Sequence, residues 1–212
     1  SGYSATFTEL DGADDASNAV GFTDGSGTLT DVDSANLASL SITYAADSVE
    51  TGDSLLVDDG TSVETIDIKL ADATGSVEFG GITFGYAFST NGANNVLTFT
   101  SNDGAVTPTD TAAAISAYES LLNALSFNST ADTFGSSARS FDVSVIDDQG
   151  DSSVAATFAV TIDETNDTPV ATDDAPSLDE DATETGNVLT DATADSDLDG
   201  DDLTVTAITT GS

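Results

Sequence analysis

The chain has 212 residues and a formal net charge of -37, with 39 acidic side chains against two basic ones, Lys69 and Arg139. It contains no Cys, His, Met or Trp, which excludes disulfides, thiolate or imidazole metal sites, and Ser–His or Cys–His catalysis. So little positive charge excludes nucleic acid as a direct partner, because phosphates would go unneutralised. No run approaches the roughly 18 apolar residues of a membrane helix, so no direct membrane insertion is expected.

Period-two alternation dominates the chain and predicts strands. Leu40, Ile42 and Tyr44 share one face, as do Ile66, Ile68 and Leu70. Ile82, Phe84, Tyr86 and Phe88 form another, followed by Leu97 and Phe99. The segment 107–127 departs from this pattern: Ile115, Tyr118, Leu122 and Leu125 recur at helical spacing after Pro108. It predicts one helix over about 111–124, with Asp110 as its N-cap and Tyr118 in the core. Phe141, Val143 and Val145 then lead through the turn "DDQGD" into Val154, Ala156, Phe158, Val160 and Ile162, a β-hairpin. Many short strands separated by Gly, Asn and Asp turns indicate an all-β sandwich with one short helix.

A boundary falls in "IDETNDTPVATDDAP" (162–176), where alternation stops and Pro169 and Pro176 punctuate a polar passage. Residues 1–166 read as one long β-sandwich, and 167–212 as the N-terminal part of a second with two or three strands. An internal repeat supports this division. "DVDSANLASLSIT" from Asp31 aligns without gaps on "DLDGDDLTVTAIT" from Asp197, an offset of 166 residues. The chain begins without Met and stops within a strand-like pattern, and so reads as an excised fragment of a tandem array. A monomer within a long multidomain chain is expected.

Crowded carboxylates destabilise a compact state unless a cation sits among them. Three clusters are therefore candidate calcium ligands, since calcium takes about six to eight oxygens from such groups. The densest is Asp195, Asp197, Asp199, Asp201 and Asp202. Its "DSDLDG" matches the opening of an EF-hand loop, but Thr206 stands where the bidentate glutamate belongs and the flanks are strand-like. Asp31, Asp33 and Asn36 form a sparser version before the repeated strand; an Asx-rich turn is the alternative reading. The third cluster is the boundary itself, with Asp163, Glu164, Asn166 and Asp167, then Glu180 and Asp181. A flexible polar linker is its alternative. Arg139 reads as a structural partner for a nearby carboxylate.

The D-x-x-N-D-x-P of the boundary resembles the calcium-binding linker of cadherins, though one residue longer before the Asn-Asp pair. That resemblance implies calcium shared between modules by Asp163, Asn166, Asp167, Glu180, Asp197 and Asp199. Residues 169–208 are similar to the cadherin-like or immunoglobulin-like repeats of large bacterial RTX adhesins. "ISAYESLLNALSFNST" followed by "RSFDVSVIDDQGDSS" resembles a longer module of the same proteins. Together these stretches cover about half of the chain. Some such adhesins carry a module that grips peptide ends in a calcium-dependent way.

The resemblance implies a non-enzymatic, calcium-dependent segment of an extracellular adhesin on a bacterial cell surface. Its partners would be several calcium ions and peptide or protein C-termini on another cell, or a glycan. Within module one, 79–110 is richest in Gly and Asn, so Asn91, Asn94, Asn95, Asn102, Asp103 and Asp110 are candidate ligand contacts. Two wide hairpin turns are the alternative there. Purely structural spacer modules are the alternative for the whole chain. A glycosidase built on two carboxylates is the remaining enzyme class; the sequence has no pattern for it and no Trp for sugar stacking.

Overall fold

Alternating apolar side chains become strands wherever a neighbour completes their hydrogen bonds, and the two sheets of this chain supply such neighbours. The structure is a computed structural model that describes residues 2–10, 16–79, 81–101, 113–175, 177, 179–183, 185–191 and 193–207. In chain order the elements are β1 (Tyr3–Thr8), β2 (Val20–Gly21), β3 (Asn36–Ala45), β4 (Ser54–Asp58), β5 (Val63–Asp67), β6 (Thr74–Phe79) and β7 (Ile82–Asn91). There follow β8 (Asn94–Ser101), β9 (Ala113–Ala114), α1 (Ile115–Ala124), β10 (Leu125–Asn128), β11 (Ala138–Asp147) and β12 (Ala156–Asp163).

They form two sheets, as an all-β sandwich requires. The larger runs β1-β12-β11-β3-β8-β7-β6, with β9 also on β3; the smaller runs β2-β10-β4-β5. Leu40, Ile42, Leu55, Ile66, Phe84, Leu97, Phe99, Phe127 and Phe141 are completely buried between them. Tyr118 of α1 is buried there too, edge-on to Phe84 at 4.9 Å, and its hydroxyl donates to the Ala38 carbonyl at 2.8 Å. Each buried aromatic contributes a few kcal/mol of burial, and the edge-to-face pairs about 0.5–1.5 more.

Two features of the larger sheet bring acidic side chains together. First, β1 pairs with β12 in parallel, Tyr3 opposite Phe158 and Thr8 opposite Asp163, whereas every other described strand pair is antiparallel. Both strands therefore leave the sheet at the same end. Second, the β11–β3 register shifts between Ile146 and Asp147, where Ala38 is an extra residue on β3. This bulge lets Leu37 and Leu40 both point inward, and bulges of this kind re-aim neighbouring side chains.

Several sequence expectations are corrected. Leu70 is 69 % exposed because β5 ends at Asp67 and the chain turns before it. Val154 is 94 % exposed because the turn after β11 extends to residue 155, so β12 begins only at Ala156. The helix begins at Ile115: Ala113 and Ala114 instead pair with Leu37 and Asn36. Asp110, the expected N-cap, lies outside the described residues, and the observed cap Ala114 makes no side-chain hydrogen bond. Beyond Asp163 no described residue belongs to a strand; Val170 and Ser196 form an isolated bridge. The alternation at Leu203 and Val205 stays unladdered because no described segment pairs with it.

Arg139, in the inward phase of β11, is completely buried. Its Nε donates to Asp53 Oδ2 at 2.6 Å, its Nη1 to the Ser136 carbonyl at 2.8 Å, and Glu50 lies 3.7 Å from Nη2. It is the structural partner that the sequence suggested. Arg139→Met should destabilise the fold by about 3–5 kcal/mol in denaturant unfolding, because Asp53 is left buried without its cation. Adding Asp53→Asn should recover part of that loss, since a neutral amide still accepts the Glu50 N–H.

Candidate metal centres

The parallel β1–β12 pair determines the first centre. Glu9 follows Phe7 by two residues, so the alternation that buries Phe7 also turns Glu9 inward, and it is 2 % exposed. Its N–H donates to the Asp163 carbonyl at 3.0 Å, and the chain leaving β12 folds back over it. There Thr165 N–H donates to Glu9 Oε2 at 3.0 Å and the Thr165 hydroxyl to the Glu9 carbonyl at 2.7 Å. Two residues on, Asp167 is 1 % exposed, and its N–H donates to Asp199 Oδ2 at 2.5 Å. Carboxylate oxygens of Glu9, Asp167 and Asp199 all lie within 4.8 Å of one another.

The acidic loop continues around the same region. Asp195 Oδ1 accepts the Thr172 N–H at 2.7 Å, and Asp197 Oδ1 accepts that of Asp201 at 3.2 Å. Gly200, at φ +76°, makes the turn between them. Asp167, Asp195, Asp197, Asp201 and Asp202 line one cleft of about 390 Å³ together with Asn166. Asp163 contributes its main chain at this end and keeps its side chain exposed. Glu180 and Asp181 belong to neither the three-carboxylate group nor this cleft.

The second centre sits where β3 and β11 meet the bulge. Asp147 continues the inward phase of Phe141, Val143 and Val145 and is 4 % exposed. Its carboxylate lies with those of Asp31 and Asp33 inside the same 4.8 Å limit. Asp31 Oδ1 accepts the N–H groups of Asp33 and Ser34 at 3.0 and 3.3 Å, and Asp147 Oδ1 those of Gln149 and Asp151 at 2.8 Å each. The Ser34 hydroxyl ties the two loops by donating to Asp148 Oδ1 at 2.8 Å. Asn36 begins β3 and pairs with Ala114 beside this group, outside the set of three carboxylates.

Electrostatics at this centre follow from crowding. The Asp33 amide and side chain hold Asp31 below the usual carboxylate range. Asp33 is pushed up by its hydrogen bond to Asp31 and then by the Asp31 charge. Adjacent carboxylates move apart in proton affinity in this way. The basic residues are engaged elsewhere: Arg139 with Asp53, and Lys69 Nζ with the Val49 carbonyl at 2.6 Å. Both groups could hold a hard divalent cation through oxygen alone, and their chemistry fits calcium.

Sequence reasoning missed Glu9 and Asp147. An acid in the inward phase of a strand was the available signal for each. Of the expected ligand residues, Asn91 and Asn94 close the two-residue turn between β7 and β8, and Asn95 is buried. Asn102, Asp103 and Asp110 lie outside the described residues.

No protein-family profile, curated protein or solved structure matches the chain.

Glu9→Gln offers a test whose sign depends on metal. In chelator it should stabilise the protein by about 1–4 kcal/mol, by removing one of three mutually repelling charges while keeping an acceptor for Thr165. In calcium it should lower the melting temperature relative to the unmodified chain. Glu180→Gln should do neither.

Proposed function

We propose that this chain is a calcium-rigidified, non-enzymatic segment of a bacterial cell-surface adhesin, in which a first β-sandwich binds a ligand and joins a second module of the same kind. One observation carries the reading: Glu9, Asp167 and Asp199 converge at the boundary in a chain whose two basic residues are both committed elsewhere. A cation bound among these three carboxylates would offset their mutual repulsion. Oxygen-only ligation, flexible loops and high ligand charge favour calcium over magnesium, which keeps more of its water.

The mechanism is mechanical. Glu9 belongs to module one, Asp167 to the outgoing chain, and Asp199 to the loop that repeats Asp33. An ion bound by all three locks the three segments together, and its removal leaves them repelling one another. Asp195, Asp197, Asp201 and Asp202, which line a cleft with Asp167, would supply further oxygens. The internal repeat makes Asp31 and Asp33 the counterparts of Asp197 and Asp199, and with Asp147 they form a second group at the other end of module one. In an array, such groups would transmit tension from module to module through ions and not through flexible linkers.

The ligand of module one is a peptide end or a glycan. An open cleft of about 820 Å³ in this module supports a binding role over a purely spacer role.

Calcium at about 1,000 times its dissociation constant adds roughly 4 kcal/mol per site when only the folded state binds it. Millimolar calcium chloride should therefore raise the melting temperature well beyond the effect of sodium chloride at equal ionic strength, as followed by calorimetry. An equal rise with sodium would mean that general charge screening suffices.

A further inference from the structure

The 820 Å³ cleft arises because the smaller sheet stops short. β2 is only two residues long, and the chain from Phe22 to Ala35 crosses the sandwich opening without becoming a strand. The inward face of β11 beyond Phe141 is consequently uncovered: Val143 and Val145 are only half-buried. Phe22, Leu122, Val143 and Phe158 form an apolar floor.

The wall is built and anchored. Asn123 of α1 accepts from the Thr23 hydroxyl at 2.6 Å and the Gly27 N–H at 2.8 Å, and donates to the Gly27 carbonyl at 3.1 Å. Glu119, also on α1, accepts the Leu29 N–H at 2.8 Å. A wall held this way loses little entropy when it binds.

The rim carries two independent signatures. Val32 and Val154, at 104 % and 94 % exposure, are the two most exposed large apolar side chains among the described residues, and both line this cleft. Water-facing apolar side chains around an apolar floor mark a surface meant to be covered. Five aspartates line it as well (Asp24, Asp31, Asp33, Asp147 and Asp151), and among the described residues no basic one does. A calcium ion at Asp31, Asp33 and Asp147 would cancel two of those five charges and leave the mouth net negative. With or without metal, charge complementarity selects a cationic occupant.

We propose that this cleft is a peptide groove for a segment that presents a basic side chain, Arg or Lys, beside an apolar one. The apolar residue covers the Phe22–Leu122–Phe158 floor between Val32 and Val154, and the cation meets the aspartates at the rim. The assignment rests on reading module one as a ligand-binding module, and for this cleft it puts a basic segment within a chain in place of the peptide end or glycan.

The test uses three fluorescent peptides with the full chain. One is acetyl-Ala-Leu-Arg-Leu-Ala-amide, blocked at both ends; the second has Glu for Arg; the third has Gln for Arg and a free C-terminal carboxylate. Anisotropy titrations are run in calcium and in chelator, with amide chemical shifts mapped for the tightest binder. The expected result is binding of the blocked basic peptide, weakened by sodium chloride, with shifts concentrated in 24–33 and 151–154. Asp24→Asn or Asp151→Asn should each weaken it about two- to fivefold, the range of exposed ion pairs. Val32→Ser with Val154→Ser should weaken it roughly tenfold through lost apolar burial, with an unchanged melting temperature. Equal or tighter binding of the acidic or free-acid peptide, shifts at 91–95, or no binding by any peptide would overturn the groove. A calcium-dependent rise in stability without basic-peptide binding overturns the groove alone. Basic-peptide binding in a chain that ignores calcium upholds the groove and overturns the calcium junction.

Discussion

Repulsion among carboxylates is the constraint on which this structure turns. With a net charge of -37, every place where acids converge must be solvated, protonated or metal-bound. Most of the acids take the first course, at exposed turns such as Asp59, whose carboxylate accepts several loop donors and is held down to about 2 by them. In two groups one acid cannot, because strand geometry carries it into the protein interior. Glu9 and Asp147 are buried by the same alternation that buries Phe7 and Phe141. Asp167 is buried with Glu9, whereas Asp199 and Asp31 are half-buried and Asp33 is exposed, and a cation held in either group would relieve the repulsion among its three acids.

The topology makes those convergences unavoidable. A parallel β1–β12 pair brings the end of the first strand to the exit of the last, so any acid just past β1 faces the outgoing linker. The antiparallel β11–β3 pair, with its bulge, brings the turn after β11 against the loop before β3. One sandwich thus presents an acidic group at each of two loop clusters. The internal repeat of Asp31 and Asp33 in Asp197 and Asp199 relates the two groups chemically. The same shortage of cations explains why Arg139 is so deeply placed: its bond to Asp53 links the start of β4 to β11.

Much of this was legible in the sequence, for physical reasons that also limit it. Period-two alternation located the central strands, because burial enforces phase; Leu40, Ile42, Phe84, Phe99 and Phe158 all sit where that phase puts them. Strand ends were less legible. Leu70 and Val154 continue the alternation on paper, but a strand ends where its partner ends, and pairing is not written locally. Asp167 and Asp199 could be marked from acidic crowding, their sharing of one site was implied by the cadherin resemblance alone, and their carboxylates do converge. Glu9 and Asp147 escaped because each reads locally as one acid of a polar stretch, "ELDGADD" and "DDQGD", 158 and 116 residues from Asp167 and Asp31 respectively. Their role depends on long-range pairing, parallel in one case and bulged in the other. The cleft was invisible for a related reason: it exists because β2 is short, and that shortness depends on what its neighbours can pair with.

A crystal structure of the full chain grown in saturating calcium, with anomalous data to identify the ion, tests the calcium junction most directly. An ion should lie between Glu9, Asp167 and Asp199, bonded to an oxygen of each at about 2.3–2.6 Å. Those three carboxylates splayed into solvent, or bridged by a shared proton with no ion between them, would contradict it.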